Sequence, residues 1–366
     1  MEVLLGKTLE ELQSVAQCVG LPKFAGKQLA EWLYVRCVSS FDEMTNISLK
    51  GREALKASYI IGRSMPVREA VSTDGTRKYL FAVNNHQSTV THHEDRFVES
   101  VYIPEDDRAT LCVSSQVGCK MGCRFCMTGT LGFHGHLSAA DILNQVFSID
   151  QLAVTNQQSA LSNLVLMGEG EPMDNLDNVL RALTILTAPY GCGWSPKRIT
   201  VSTVGIPAMK RYLDESECHL AVSMHNPFGA ERAEIMPAER LMHLTDIVAL
   251  LKQYDWTHQR RVSFEYICWG GQNDTPRHAK ELLRLLRGLN CRINLIRFHE
   301  GVEQRRESNR HQNSQDANLK VFKSSNLQQM EWLRDYLTAN GITTTIRRSR
   351  GEDILAACGM LVAQQQ

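Results

Sequence analysis

Three cysteines in the first half of the chain have the spacing to hold an iron–sulfur cluster. Cys119, Cys123 and Cys126 follow the pattern C-x3-C-x2-C in a short glycine-containing loop, just after the apolar run 109–113. Three thiolates so placed can each bind one iron of a cubane cluster, which leaves the fourth iron open to another ligand. Zinc is the competing metal, but its structural sites usually take four ligands in two spaced pairs. The spacing therefore favours a 4Fe–4S cluster with one open coordination position.

The composition is that of a folded protein rich in cysteine. Hydrophobic residues make up 43% of the 366 residues, which suits one large catalytic domain and a smaller accessory one. The N-terminus lacks a signal-peptide pattern and no run is apolar enough to cross a bilayer, so we expect a cytoplasmic protein without membrane contact. In that reducing compartment a disulfide framework is not expected. We expect six scattered cysteines to be buried apolar side chains, namely Cys18, Cys37, Cys192, Cys218, Cys268 and Cys291.

The alternation of apolar runs and helical segments after residue 109 predicts an α/β fold with a parallel sheet. Strands are expected at 164–167, 199–203, 220–224, 262–266, 293–296 and 343–346, and helices at 139–152, 176–186, 244–254, 276–289 and 327–339. About six strand–helix units indicate an open or partial barrel, with a doubly wound sheet as the alternative. The predicted organisation is a helical domain at 1–65, a strand-rich linker region at 66–108, the barrel at 109–350 and a C-terminal segment at 351–366.

Polar residues and glycines lie at or just after the ends of three successive predicted strands. Because the carboxyl ends of parallel strands meet at one rim, these groups should converge on a shared site. Glycine permits close approach of the backbone, and Glu171 offers a carboxylate for a ligand's ammonium group. The stretches concerned are Met167-Gly-Glu-Gly-Glu-Pro172, Val201-Ser-Thr-Val-Gly205 and Val222-Ser-Met-His-Asn226.

The order of these motifs resembles the radical S-adenosylmethionine (SAM) superfamily and, within it, the RlmN/Cfr family. The cysteine pattern, with Phe125 before its last cysteine, is similar to the superfamily signature. The run 99–119, the strand-end motifs, Asn294-Leu-Ile and the run 350–359 follow in the family's order. The resemblance implies a partial (β/α)6 radical SAM barrel with a small helix-hairpin-helix-like N-terminal domain. It also implies one 4Fe–4S cluster and two molecules of SAM per turnover.

The resemblance assigns roles to two further cysteines and a glutamate. Cys358 would accept a methyl group from SAM as a thiolate, and Cys112 would later attack it to form a transient disulfide. Glu99 matches the family's proton acceptor, and Cys112 as a thiolate is the alternative base. The positions that line the family's SAM site are Gly170, Glu171, Ser202, Ser223, Met224, His225 and His299, the last of which is usually Asn in the family.

The reaction that the resemblance implies is methylation of an adenine carbon in 23S rRNA and also in tRNA, by a monomer. A flavodoxin or ferredoxin would supply electrons. The run 101–119 resembles the C2-specific RlmN branch more than the C8-specific Cfr branch, so C2 is predicted and C8 is the alternative. A radical SAM activase of another protein is a further alternative, but it gives Cys358 no task.

Cationic residues near both ends of the chain are candidates for RNA contacts, although a formal net charge of zero neither indicates nor excludes a polyanionic partner. Three arginines flank the Cys358 segment and offer phosphate ligands beside it. The polar, basic run 301–325 is typical of a long surface loop. The cations are Lys23, Lys27, Arg36, Lys50 and Arg52 in the N-terminal region and Arg347, Arg348 and Arg350 near Cys358.

Overall fold

The computed structural model describes residues 1–83, 96–257, 261–299 and 322–361. Its first sixty residues form a helical unit, and a capping box between Thr8 and Glu11 starts the first helix. Two short strands pair in parallel and join the beginning of this unit to its end. The elements are β1 (Glu2–Val3), α1 (Leu9–Cys18), α2 (Ala25–Ala30), α3 (Leu49–Ser58) and β2 (Tyr59–Ile60).

Twelve further strands follow in the described part of the chain, and ten of them form one sheet. Their bounds are β3 (Arg68–Val71), β4 (Arg77–Ala82), β5 (Phe97–Pro104), β6 (Ala109–Cys112), β7 (Gln116–Gly118), β8 (Phe133–His136), β9 (Asn163–Leu166), β10 (Ile199–Thr203), β11 (His219–Ser223), β12 (Val262–Cys268), β13 (Cys291–Arg297) and β14 (Thr343–Arg347). The order in the sheet is β14-β13-β12-β11-β10-β9-β6-β5-β4-β3, and β7 pairs only with β8. Neighbours are parallel from β6 through β14, whereas β3, β4 and β5 extend the sheet antiparallel.

Each of the six connections between successive parallel strands carries at least one helix. These helices are α4 (Ala139–Thr155), α5 (Leu176–Thr187), α6 (Met209–Glu215), α7 (Gly229–Ile235), α8 (Leu244–Gln253), α9 (Pro276–Leu286) and α10 (Leu327–Ala339). Strand β12 is buried along its whole length, as expected for a parallel strand covered on both faces. The predicted α/β class with about six strand–helix units is confirmed.

The sheet is curved, because its distant strands make side-chain contact. Arg347 at the end of β14 places Nη1 3.4 Å from the sulfur of Met167, which follows β9. Five strand spacings separate β9 from β14, which in a flat sheet would be about 24 Å. Such a contact requires the sheet to curl, which is the geometry of a partial barrel.

The C-terminal segment follows β14 and contacts the turn between β3 and β4 and the loop between β7 and β8. The Gly351 N–H donates to Asp74 at 3.0 Å, and the Thr128 hydroxyl donates to the carbonyl of Leu361 at 2.9 Å. The Gly359 carbonyl accepts from the Met127 N–H at 2.8 Å. The segment that bears Cys358 is therefore fixed against the loop that contains the three cysteines.

Most of the predicted loop 301–325 lies outside the described residues, which resume at Phe322. Within the described ranges, every helix is too short or too polar to cross a membrane.

Candidate active site

The three predicted cluster ligands lie in the loop between β7 and β8. The Cys119 N–H donates to the carbonyl of Gly132 at 2.8 Å, which closes the hairpin behind the loop. Gly118 has φ +69, and a Cβ there would lie 2.0 Å from the Gly132 carbonyl oxygen, so the turn requires glycine. Next to Cys123, the Arg124 N–H donates to the Ile235 carbonyl at 2.9 Å. Backbone contacts on both sides thus hold the loop.

Burial and mutual repulsion act on the loop thiols. Burial raises the pKa of Cys119 to about 12, and burial together with the neighbouring thiols raises the pKa of Cys123 well above its ordinary value. A bound metal would lower these pKa values again, because it holds cysteine as the thiolate. Among the described residues, no three His, Cys, Asp or Glu side chains converge closely enough to hold a single metal ion. A cubane cluster does not require the thiolates to meet at one ion, since each thiolate binds its own iron. Three thiols around one cavity therefore fit such a cluster.

A cavity of about 140 Å³ joins the cysteine loop to the rim of the barrel. All three loop cysteines line it, and so does Cys358 from the far end of the chain. Most of the predicted SAM-binding residues line it too, namely Gly170, Glu171, Ser202, Ser223 and His225. The predicted convergence of strand ends is thus present in the structure. Met224 is fully buried and does not line the cavity, although it follows Ser223 directly.

Glu171 is anchored by the backbone of two neighbouring segments. One of its carboxylate oxygens accepts from the Met173 N–H at 3.0 Å and the other from the Val204 N–H at 2.9 Å. Burial nevertheless raises its pKa to about 7. At Gly170, with φ +98, a Cβ would lie 2.5 Å from the Gln116 side chain. The glycine therefore allows the rim to approach β7 closely, and Glu171 holds the rim in place.

His225 forms a wall of the cavity as a neutral ring. Its Nδ1 accepts from the Ile267 N–H at 3.0 Å, which leaves the proton on Nε2. Burial lowers its pKa to about 3. The ring packs edge-on against Phe125, with centroids 4.5 Å apart, and its backbone has φ +56. This contact links the end of β11 to the cysteine loop.

Arg232 ties the ends of two strands together beneath the cavity. It is fully buried and forms an ion pair with Glu239, while its guanidinium donates to the carbonyls of Val204 at 2.6 Å and Ser223 at 2.9 Å. Nothing local in the sequence indicates this role, because Val204 belongs to the preceding strand–helix unit.

Cys112 and Cys358 lie near one another although they are far apart in sequence. Cys112 ends β6 and packs in a small apolar cluster with Val101, Ala356 and Leu361. Burial, followed by the charge of Cys358, raises the pKa of Cys112 to about 12. Cys358 itself is exposed. The structure thus brings a buried thiol and an accessible thiol to the same end of the barrel.

Glu99 lies on β5 beside a second buried glutamate. Its carboxylate pairs with the Lys78 ammonium at 2.8 Å, and its backbone N–H donates to Glu169 at 2.9 Å. Burial raises the pKa of Glu169 to about 8. Neither Glu99 nor Cys112 lines the cavity that contains the cluster cysteines.

Glu265 is a cavity residue that sequence reasoning missed. It lies in the middle of β12 with 4% of its surface exposed. One carboxylate oxygen accepts from the Asn294 side chain at 2.8 Å. The other has no hydrogen-bond partner among the described residues and lies 3.6 Å from Nη1 of Arg347. A buried carboxylate oxygen without a donor suits a ligand that brings one.

A second cavity, of about 350 Å³, lies on the other side of Cys358. Ile296, Arg347 and Cys358 line both cavities and form the partition between them. His299 lines this second cavity and not the first, and its ring nitrogen lies 3.0 Å from the Ser349 hydroxyl. It therefore stands apart from the other residues predicted to bind SAM.

Comparison with known proteins agrees with this architecture. Residues 3–61 match the family described as the ribosomal RNA large subunit methyltransferase N-terminal domain. A protein of Bacteroides fragilis named "Probable dual-specificity RNA methyltransferase RlmN" is 54% identical, over 99% of this chain and 97% of the relative. The "Dual-specificity RNA methyltransferase RlmN" of Syntrophobacter fumaroxidans is 39% identical over 98% and 97%. The crystal structure of a radical SAM methyltransferase from Sphaerobacter thermophilus superposes with a TM-score of 0.85 at 34% identity and covers both chains fully.

The curved sheet, the three-cysteine loop and this structural similarity define a radical SAM methyltransferase. The relatives also show which branch of these methyltransferases the chain represents, since they are similar to it over nearly their whole length. The chain belongs to the RlmN family.

Proposed function

We propose that the chain methylates C2 of an adenosine in 23S rRNA and in tRNA, through an S-methylcysteine on Cys358 and a transient disulfide. The observation that carries this proposal is the position of Cys358, which lines one cavity together with the three cluster cysteines and lies near Cys112. A radical SAM enzyme that only activates another protein needs neither extra thiol. Relatives named dual-specificity RNA methyltransferases support RNA as the substrate class.

Cys119, Cys123 and Cys126 would hold the 4Fe–4S cluster. When bound, the cluster and SAM supply a 5′-deoxyadenosyl radical, which can take hydrogen from an unreactive carbon. The anchored Glu171 and the neutral His225 then shape the walls around the bound SAM. Because the loop thiols are largely buried, water is kept from the place where the radical forms.

Cys358 would act first, as a nucleophile. Its thiolate displaces the methyl group from the sulfonium of one SAM, and S-adenosylhomocysteine leaves. A second SAM serves the radical step, so each turnover uses two molecules. The exposed position of Cys358 between two cavities supports this order, because the thiol must meet SAM on one side and RNA on the other.

Cys112 would act last: it loses its proton and attacks the sulfur of Cys358, and the bond between that sulfur and the methylene carbon breaks. The carbon takes up a proton and becomes the methyl group of the released base, and a disulfide remains. We assign removal of the ring proton to Glu99 rather than to Cys112. Burial raises the pKa of Cys112 to about 12, which disfavours Cys112 as the base that takes the ring proton. Glu99 offers a carboxylate oxygen as the proton acceptor, and the ion pair with Lys78 at 2.8 Å holds that carboxylate in place.

The remaining assignments complete the proposal. Residues 1–65 serve as the RNA-binding accessory domain, 66–108 as the linker region, 109–350 as the barrel and 351–366 as the methyl-carrying segment. An electron-donor protein such as flavodoxin or ferredoxin reduces the cluster, and the protein acts as a cytoplasmic monomer.

The proposal is tested with anaerobically reconstituted enzyme, SAM, a chemical reductant and RNA transcripts, followed by mass spectrometry of the nucleosides. We expect 2-methyladenosine from the wild type and none from Cys358→Ala, which should still cleave SAM. Cys18 is exposed, so the prediction that it is buried is wrong, and Cys18→Ala is the matched control that should methylate normally. Formation of 8-methyladenosine alone would support the Cfr-like alternative. SAM cleavage without any methylated nucleoside would refute RNA methylation.

A further inference from the structure

The second cavity carries an excess of positive charge. Its lining includes five arginines and a single acidic residue, Glu105. A hydrogen bond from Arg108, aided by the charges of Arg350 and Arg347, holds the pKa of Glu105 below its ordinary value. The cavity therefore has a positive field, and an anionic ligand would be stabilised there.

Two of the arginines are available to a ligand. Arg108 pairs with Glu105, Arg347 faces Glu265 at 3.6 Å, and Arg350 faces Asp74 at 3.9 Å. Arg297 and Arg348 are exposed and have no ion-pair partner among the residues that the structure describes. Arg297 and Arg348 are neighbours in space. Arg297 ends β13, and Arg348 comes directly after β14, which pairs with β13 in the sheet.

The rest of the lining suits a nucleoside. Apolar side chains, among them Ile103, Ile346 and Ala356, contribute a surface for a sugar or a base. The partition formed by Ile296, Arg347 and Cys358 separates this surface from the cavity of the cluster cysteines. A base that passes Cys358 thus leaves its phosphates on the arginine side.

We propose that the second cavity binds the phosphodiester groups beside the target adenosine, with Arg297 and Arg348 as the phosphate ligands. The inference rests on the proposed function and adds to it the place where the RNA backbone lies. Guanidinium groups match phosphate oxygens in bidentate geometry, so Arg297 and Arg348 together can fix one strand on both sides of an unstacked base. His299, on the same wall, becomes a contact of the RNA rather than of SAM.

The test compares Arg297→Gln, Arg348→Gln and the double variant with the wild type. Arg284→Gln is the matched control, because its side chain is 69% exposed on α9, away from this cavity. Binding of a fluorescent RNA stem-loop with an unpaired adenosine is followed by anisotropy over a range of salt concentrations. Each cavity variant should weaken binding about tenfold and reduce the salt slope by about one. Arg284→Gln should match the wild type.

Lysine substitutions separate charge from folding. Arg297→Lys and Arg348→Lys keep the charge, so they should restore the wild-type salt slope while losing part of the affinity. Cluster absorbance and the melting temperature identify any variant that fails to fold. Wild-type affinity and salt slope in the double variant would overturn the phosphate site. That result would leave RNA methylation by the wild type intact, whereas absence of any methyladenosine from the wild type is a failure of the proposed function itself.

Discussion

Replacing Glu169 by glutamine should remove a pH-dependent loss of stability. Only 1% of the Glu169 surface is exposed, and one carboxylate oxygen accepts from the Glu99 N–H at 2.9 Å. The other has no hydrogen-bond partner in the described part of the chain. Burial, with the Glu99 charge adding to it and Lys78 partly opposing it, raises the pKa of Glu169 to about 8. The native protein therefore keeps a proton that the unfolded chain releases.

The direction of the effect follows from proton binding. Between about pH 4.5 and about pH 8 the native state binds more protons than the unfolded state, so the free energy of unfolding falls as the pH rises. At about 1.4 kcal/mol per pKa unit, the loss is at most roughly 5 kcal/mol and is complete above about pH 8. Glutamine keeps the acceptor for the Glu99 N–H and cannot ionise. The ionisation of residue 169 should therefore not lower the free energy of unfolding of the Glu169→Gln variant in this pH range.

The assay is thermal unfolding of cluster-loaded protein under anaerobic conditions from about pH 6 to about pH 9. The melting temperature of Glu169→Gln relative to wild type should rise by several degrees across this range. Glu217→Gln, at an exposed glutamate, is the control and should stay parallel to the wild type. If the melting temperatures of Glu169→Gln and wild type differed by the same amount at both ends of this pH range, ionisation of the buried Glu169 would not destabilise the native state. That result would refute the prediction.

Three further predictions concern the site and its support. Glu265→Gln should weaken SAM binding about tenfold in equilibrium dialysis, because it removes a buried acceptor from the cavity wall; an unchanged dissociation constant would contradict this. Arg232→Met should lower the free energy of unfolding by about 3–5 kcal/mol in denaturant titrations, since Glu239 would stay buried without its partner, and a loss below about 1 kcal/mol would argue against that pairing. In peptide mapping at neutral pH, iodoacetamide should label the exposed Cys358 well before the buried Cys112, and equal labelling would contradict the burial of Cys112.

Local sequence patterns predicted the bounds of some helices and strands well. Strand β10 and helix α10 have the predicted bounds, and the N-cap Asn326, which accepts from the Gln329 N–H at 2.8 Å, starts α10. Helix α9 ends three residues earlier than predicted, at Leu286 rather than residue 289, because Gly288 adopts φ +80. Apolar periodicity alone continues through such a glycine, so it cannot locate the end of the helix.

The residues at the rim of the site were predictable, because the carboxyl ends of parallel strands lie at the same edge of a sheet. Once β9, β10 and β11 were placed, Gly170, Ser202 and Ser223 had to lie at or near the same edge of the sheet. The buried charges were not predictable in this way. Glu265 lies in an apolar run, and its partner Asn294 is on the next strand, in register across the sheet. Pairing of this kind is fixed by strand register, which depends on the whole sheet and not on neighbours in sequence.

The meeting of Cys112 and Cys358 depends on how the sheet closes. Cys112 ends β6 and Arg347 ends β14, which are the first and last parallel strands. The sheet curls without pairing these two strands, and the segment 351–361, which follows β14, bonds to Asp74 in the turn between β3 and β4 and to Thr128 in the cysteine loop. The segment that makes these bonds thus sets the position of the proposed methyl-accepting thiol. Fold stability and thiol placement are therefore coupled in this segment, because the bonds that fix it to Asp74 and to the cysteine loop also hold Cys358 at the cavity.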